Sequence, residues 1–385
     1  MILFYLAAWI GFLMYSVLLI IMKVGLAFMP RSRFEQNDDL LPTVSVVVAA
    51  RDEEKGIGYL LECLAKQDYP RDRYKIIVVD DRSKDTTGAL VREWMKRDAR
   101  IEILRIRDGE NTSRAPKKFA LSKGIAASHG DVIVTTDADC WMGKSWLRAL
   151  VSPFVDEEVQ GATGVSRFVR QSDQPQPWWS EYESLEHLSY SIFAAGCIGA
   201  GHVMNAHGSN LAVRRSAFEK VRGYASNDKT VSGDDVFMLQ DVAAVAGKVV
   251  FVERREGWVF SRPVDYGYQW INQRARWSSK NFYYPDFLRT LVVGISLYYL
   301  SLFLALPLAL FGLLHPLTPL VLFSGRLFLE PTVMKTGAKR LNEPINLNKY
   351  MLTTVLHTYF GVFAGLKGQF FKFNWKSQDF TKRRK

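Results

Sequence analysis

Apolar positions gather at the two ends of this chain, while its middle alternates. Along Ile2–Phe28 the only charged side chain is Lys23, and such a run, wound as a helix, is long enough to cross roughly 30 Å of hydrocarbon. No basic stretch precedes it and no small-residue cleavage site comes before Pro30, so it reads as a transmembrane helix and not as a leader peptide. Two further apolar runs, 291–314 and 317–329, are separated by His315 and Pro316 and predict a hairpin that leaves the membrane and returns. Arg326 interrupts the second run. The stretch 350–371 is less apolar and carries His357, Lys367 and Gln369; a basic cluster of Lys372, Lys376, Lys382, Arg383, Arg384 and Lys385 follows. Keeping that cluster cytoplasmic predicts an interfacial or re-entrant helix there.

Between 42 and 262 short continuous apolar runs alternate with helix-like stretches. The run 44–49 is mostly valine, as befits a strand buried on both faces. A helix over 58–67, a strand over 74–79, a helix over 91–97, a strand over 101–106, a helix over 119–128 and a strand over 132–136 follow. Alternation of this kind implies right-handed crossovers and a mostly parallel sheet, with ligands bound beyond the carboxyl ends of its strands. The expected fold class is α/β, a mostly parallel sheet flanked by helices, with transmembrane helices at the N-terminal and C-terminal ends. The expected domains are a membrane helix at 1–30, a cytosolic α/β domain at 42–262, an interfacial region at 263–289, a membrane hairpin at 290–332 and a basic cytoplasmic segment at 333–385.

Charge refines this plan. Lys23, Arg31 and Arg33 mark the inner end of the first helix, which puts the polar middle in the cytoplasm. The 385 residues hold 50 basic and 39 acidic side chains, a formal +11. Because the basic residues cluster beside membrane segments, the excess reads as membrane topology and attraction to anionic lipid, with no nucleic-acid partner expected. Cys63, Cys140 and Cys197 show no metal-ligand spacing and suit a reducing compartment.

The candidate chemistry sits at the strand ends. Arg51, Asp52 and Glu53 follow the first strand, Asp80 and Asp81 the second, and Asp137 and Asp139 the fourth. A surface-loop reading accounts for each group alone, but not for acidic residues at the same end of three strands. Asp137 and Asp139 are separated by one residue, so on an extended backbone both reach one cation. A hard cation, Mg²⁺ or Mn²⁺, takes such oxygens and shares them with a substrate diphosphate. Asp80 and Asp81 are placed to accept hydrogen bonds from a nucleotide's ribose or base. Lys117 is a candidate partner for a phosphate or for the acidic groups around it.

In Ser232-Gly233-Asp234-Asp235, Asp235 is the candidate general base for an acceptor hydroxyl. Asp234 is free to cap the helix expected over 236–245. In the run 273–277, Arg276 can clamp a diphosphate and Trp277 can pack on a sugar or acceptor face, with Gln273 beside them. The surrounding stretch 266–284 is rich in aromatic and basic residues and reads equally as an interfacial helix. The aromatic stretch 178–201 is a candidate second membrane-facing element.

Taken in order, the motifs VVDD (78–81), TTDAD (135–139), GSN (208–210), SGDD (232–235) and QRARW (273–277) resemble those of the membrane-bound family-2 glycosyltransferases of GT-A fold. That group includes cellulose, hyaluronan and chitin synthases and ceramide glucosyltransferase. The resemblance runs from Val44 through Trp277. It implies a nucleotide site that includes Ala50, Asp52, Glu53, Asp81, Lys117 and Asp137, a metal on Asp139 and Asp137, Asp235 as base, and Gln273, Arg276 and Trp277 as the QxxRW signature. Asp52 stands where many members have asparagine. Fewer membrane segments follow QRARW than polysaccharide synthases use to build a secretion channel.

The expected activity is therefore an inverting, metal-dependent transfer of a sugar from a nucleotide donor, a uridine diphosphate sugar above others, to a lipid or growing glycan at the cytoplasmic face of the cell membrane. A processive synthase working as an oligomer or with a partner is the rival within the class. A membrane scaffold that binds the donor without turnover is the rival outside it.

Overall fold

A computed structural model describes residues 2–110, 115–170, 178–227, 232–264, 266–371, 373–375 and 378–380. The basic tail residues Lys372, Lys376 and Lys382 to Lys385, on which the expected side of the 350–371 helix turns, lie outside the described residues. The chain divides into two compact units, one built from Met29–Gln176 and His187–Pro263, the other from Met1–Phe28, Pro177–Glu186 and Val264–Lys385.

The first unit is α/β. Its strands, in chain order, are β1 (Val44–Ala50), β2 (Tyr74–Asp81), β3 (Ile101–Ile106), β4 (Val132–Asp137), β5 (Trp141–Met142), β6 (Val159–Gly164), β7 (Ser166–Phe168), β8 (Leu211–Arg214), β9 (Lys248–Val252) and β10 (Val259–Ser261). Seven of them form one sheet in the order β3-β2-β1-β4-β8-β6-β9, while β5, β10 and β7 form a small second sheet. In the large sheet only β8 runs against its neighbours, so the sheet is mostly parallel, as expected.

The valine-rich runs form central strands because helices cover both faces. Val46, Val47, Val48, Ile76, Val78, Val132 and Val134 are all at 2 % exposure or less, each contributing about 1.5–3 kcal/mol of apolar burial. The helix Ile57–Ala65 turns Ile57, Leu60, Leu61 and Leu64 inward, the spacing of a single helical face.

Two helices begin earlier than their apolar periodicity predicts, at Thr87 in place of Val91 and at Pro116 in place of Phe119. Their first turns are polar and so invisible to periodicity. The second start matters, since Pro116 suits the first helical position and the shift puts Lys117 in the opening turn. The acidic ends of the strands also belong to the ladder. Asp80 and Asp81 are the last residues of β2, paired with Arg105 and Ile106 of β3, where loop positions were expected.

The second unit is helical. Ile2–Phe28 and Asp286–Leu310 are each long and apolar enough to cross a membrane. They meet at Gly11, where an added Cβ would stand 2.6 Å from the Gly294 carbonyl oxygen, a small-residue contact that lets two helices approach closely. The helix Thr318–Leu341 runs past the boundary expected at 332. Its charged residues do not end it because they satisfy each other: Arg326 Nε lies 2.6 Å from Glu330, four residues on. Tyr15, Tyr350 and Thr354 donate to Glu330, and Arg326 donates to Thr358 at 2.6 Å. The helix Leu347–Phe370 follows.

Candidate active site

Register decides which acidic groups meet. In the parallel ladders Ala50 of β1 pairs with Asp80 of β2, and Ala49 pairs with Asp137 of β4. The carboxyl ends of all three strands therefore stop at one level, and the groups that follow them share one edge of the sheet. Because β8 is antiparallel to β4, with Leu211 opposite Thr135, the turn that enters β8, Gly208 to Asn210, comes to that same edge.

Two strand-end loops are clasped together there. Asp52 has φ 52°, a left-handed conformation that aspartate tolerates. Its Oδ1 accepts the Lys84 N–H at 2.8 Å and its own N–H donates to Ser83 Oγ at 3.1 Å. The Glu53 N–H donates to Thr87 Oγ1 at 2.8 Å. Asp80 and Asp81 are both buried. Asp80 accepts the Ser83 N–H at 3.0 Å, and Asp81 is paired with Arg82 at 2.8 Å.

At the end of β4, Asp137, Asp139 and Cys140 bring their ligand atoms within 4.8 Å of one another. Burial, helped by the nearby Asp139 and Asp137 carboxylates, pushes the Cys140 thiol well above its usual pKa, and a soft sulfur is in any case a poor partner for a hard cation that takes oxygen ligands. Two carboxylates remain. Mg²⁺ or Mn²⁺ is commonly held by one or two carboxylates plus substrate phosphate, and this donor set fits such an ion. Asp139 is exposed and Asp137 partly so, which leaves room for the other ligands.

Lys117 joins this metal motif to the next one. Its Nζ lies 2.8 Å from Asp137 Oδ1 and 2.9 Å from Asp234 Oδ2. Burial opposes the charge, but the two carboxylates outweigh it and hold the ammonium well above its ordinary pKa. Of the two readings of Lys117, the structure shows the pairing with acidic neighbours.

Asp234 is thus engaged with Lys117, and it is Asp235 that caps the helix Val236–Val245, a correction to the division of labour expected from sequence. Asp235 Oδ1 accepts the Val236 N–H at 2.7 Å and Oδ2 accepts the Gly208 N–H at 3.1 Å. A carboxylate offers about four lone-pair sites, and these two bonds orient it. Asn210, the last residue of GSN, is wholly buried. Its amide donates to the carbonyls of Val165 and Gly257 at 2.9 and 2.8 Å and accepts from Trp146 Nε1 at 3.0 Å, tying the strand-end turn to the small sheet.

Gln273, Arg276 and Trp277 belong to the helical unit, on the helix Gly267–Ser278. There the buried charged residue of QRARW is Arg274, which sequence reasoning passed over. Its guanidinium lies 3.0 Å from Glu183, is paired with Glu186, and sits 4.9 Å from the Trp270 ring and 4.8 Å from the Trp277 ring. Glu186 in turn lies 3.2 Å from His357 Nδ1. Burial raises the Glu183 pKa, whereas at Glu186 burial is outweighed by Arg274 and His357 and the value falls to about 2. The available signal was the repeat of acidic residues three apart in the helix Trp178–Gly199.

The family model for Glycosyl transferase family 2 matches residues 45–222. The chain thus carries a family-2 glycosyltransferase domain, and its sheet and flanking helices are of the GT-A type. Matching curated relatives include the probable glycosyltransferase YdaM of Bacillus subtilis, 29% identical over 65% of this chain and 58% of that protein. They also include the beta-monoglucosyldiacylglycerol synthase of Synechocystis, 29% identical over 50% of this chain and 39% of that one. The matched part is therefore less than two thirds of either relative. Among solved structures, the mannosyltransferase PcManGT from Pyrobaculum calidifontis, in complex with GDP-Man and Mn²⁺, is similar with a TM-score of 0.57 at 17% identity, over 94% of this chain and 98% of that one.

Proposed function

We propose that the protein transfers a sugar, with inversion, from a uridine diphosphate sugar to a lipid or growing glycan at the cytoplasmic face of the cell membrane. The observation that carries this reading is the Lys117 bridge, 2.8 Å to Asp137 and 2.9 Å to Asp234, which brings the metal-type motif and the acid pair of SGDD into one site. Asp139 and Asp137 would hold Mg²⁺ or Mn²⁺, which supplies charge neutralisation for a leaving nucleoside diphosphate. Ala50, Asp52, Glu53 and Asp81, on the neighbouring strand ends, would bind the nucleotide, with Lys117 beside its phosphates. Asp235 takes the proton of the acceptor hydroxyl as that oxygen attacks the anomeric carbon. By the resemblance of the motif, Gln273, Arg276 and Trp277 belong to donor and acceptor binding. A lipid acceptor is favoured by the named activity of the diacylglycerol-modifying relatives and by the two long apolar helices.

The test is a transfer assay on the full chain in detergent with lipid extract, a panel of nucleotide sugars, and Mn²⁺ or Mg²⁺. Nucleoside diphosphate release from one donor together with a labelled lipid is expected, lost in Asp139→Asn and Asp235→Asn. A labelled high-mass product would replace single transfer by a processive synthase. Donor binding with no release from any sugar would overturn the enzymatic reading.

A further inference from the structure

We propose that the turn His207 to Asn210 is a positioning platform for the general base, with Gly208 and Thr135 as positioning residues that act through Asp235. The inference rests on the reading of Asp235 as that base.

The turn is pinned from every side by buried groups. The His207 N–H donates to Thr163 Oγ1 at 3.2 Å, and His207 Nε2 lies 3.0 Å from Ser191 Oγ. The His207 carbonyl accepts the Asn210 N–H at 2.9 Å, which closes the turn. Thr135 Oγ1 donates to the Gly208 carbonyl at 3.0 Å. Thr135, Thr163, Ser191 and Asn210 are all at 3 % exposure or less. Both peptide groups that flank Gly208 are thus anchored on their carbonyl oxygens, and the N–H left to face the site is the one that meets Asp235 Oδ2 at 3.1 Å. With the Val236 N–H on Oδ1 at 2.7 Å, each carboxylate oxygen is held by a backbone donor, which helps to fix the side-chain rotamer.

What glycine provides at 208 is space and not backbone conformation, since it is not among the glycines of positive φ. A Cβ there would stand 3.1 Å from Asp234 Oδ2, 3.4 Å from the Lys117 ammonium and 3.6 Å from Asp235 Cβ. The alanine methyl would touch Asp235 Cβ at an ordinary contact distance and require Asp234 Oδ2 to give by a few tenths of an ångström, a small shift of the acid pair against the platform. A misplacement of about 1 Å can cost about 100-fold in rate, so a shift of a few tenths of an ångström at the base costs a part of that, whereas donor binding needs no such precision at Asp235.

The experiment compares Gly208→Ala, Thr135→Val, Thr135→Ser and Asp235→Asn. Turnover is nucleoside diphosphate release from whichever of UDP-glucose, UDP-galactose, UDP-N-acetylglucosamine or GDP-mannose the wild type uses fastest; binding is that of the matching nucleoside diphosphate with Mn²⁺. Gly208→Ala is expected to lower kcat by about 10-fold with nucleotide affinity and KM for the donor unchanged. The double variant Gly208→Ala with Asp235→Asn is expected to be no slower than Asp235→Asn alone, because residues that act as one unit are not additive. Thr135→Val is expected to follow Gly208→Ala in direction and Thr135→Ser to restore turnover, and this pair decides the matter if Gly208→Ala does not fold. Parallel loss of nucleotide affinity and kcat, or a double variant slower by the product of the two losses, would overturn the platform. Wild-type turnover in Gly208→Ala beside an inactive Asp235→Asn would overturn it and leave the base assignment standing. Full turnover in Asp235→Asn, or none from any donor in the wild type, would remove the underlying reading as well.

Discussion

The Lys117 ammonium lies 2.8 Å from the Asp137 carboxylate, inside the motif that reads as a metal site. A second carboxylate, Asp234, holds it from the other side at 2.9 Å. Lys117→Met leaves two carboxylates facing each other with their common counter-charge gone. The pair is only partly buried, so breaking it costs about 1–3 kcal/mol, between an exposed and a buried ion pair, and a lower melting temperature and weaker nucleoside diphosphate binding are expected; calorimetry and UDP titration read both. Unchanged melting would show that the bridge is not a stabilising contact.

Asp139 is exposed, and its replacement leaves the core untouched. Asp139→Asn is expected to keep the wild-type melting temperature while Mn²⁺ affinity falls by at least about 10-fold, the loss of one charged ligand. Manganese titration followed by electron paramagnetic resonance measures this without reference to turnover. Chelation should abolish transfer in the wild type and added Mn²⁺ or Mg²⁺ should restore it.

Asn210 makes three side-chain hydrogen bonds, to Trp146, Val165 and Gly257. Asn210→Ala strands those partners in a dry interior, at about 1–3 kcal/mol each. The expected result is a chain that fails to accumulate, or one that melts well below wild type in a thermal scan. A variant of normal stability would show that water replaces the amide.

Glu186 links stability to acid. Its pKa is lowered from 4.5 to about 2 in the folded protein, so its contribution is present above the unfolded value and is lost as pH falls from about 4.5 toward 2. That contribution is on the order of 3 kcal/mol. Glu183, whose pKa is raised by burial, has the opposite sign: it gains stability as it protonates on acidification. Melting of Glu186→Gln across pH 6 to 3 should fall less steeply than wild type and start lower, whereas Glu183→Gln should steepen the fall. Equal slopes would refute the linkage.

The pair Arg326 and Glu330 is buried among helices of the second unit at 2.6 Å. Removing one partner leaves an uncompensated charge, about 3–5 kcal/mol, so Glu330→Leu should reduce the yield of folded protein. Arg326→Met combined with Glu330→Leu should recover it, since an apolar pair of similar volume costs no charge burial. Size-exclusion profiles in detergent give the comparison.

Much was legible in the chain. Continuous valine and isoleucine runs specify strands that must be covered on both faces, and the run Ile2–Phe28 has the length of a membrane helix; both signals are local, carried by side chains adjacent in sequence. The order of the acidic motifs likewise pointed to the family, because side-chain types at fixed order along the chain are read without any contact. Tertiary structure alone decided which groups meet. The antiparallel β8 brings Gly208 to the edge where β4 ends, the early start at Pro116 puts Lys117 between Asp137 and Asp234, and Arg274, next to the expected site residue Gln273, is the buried charged member of QRARW. Register and the inward face of a short polar helix depend on partners far away along the chain, so no local pattern of residues could encode them, whereas the start at Pro116 carries a local signal that apolar periodicity does not read.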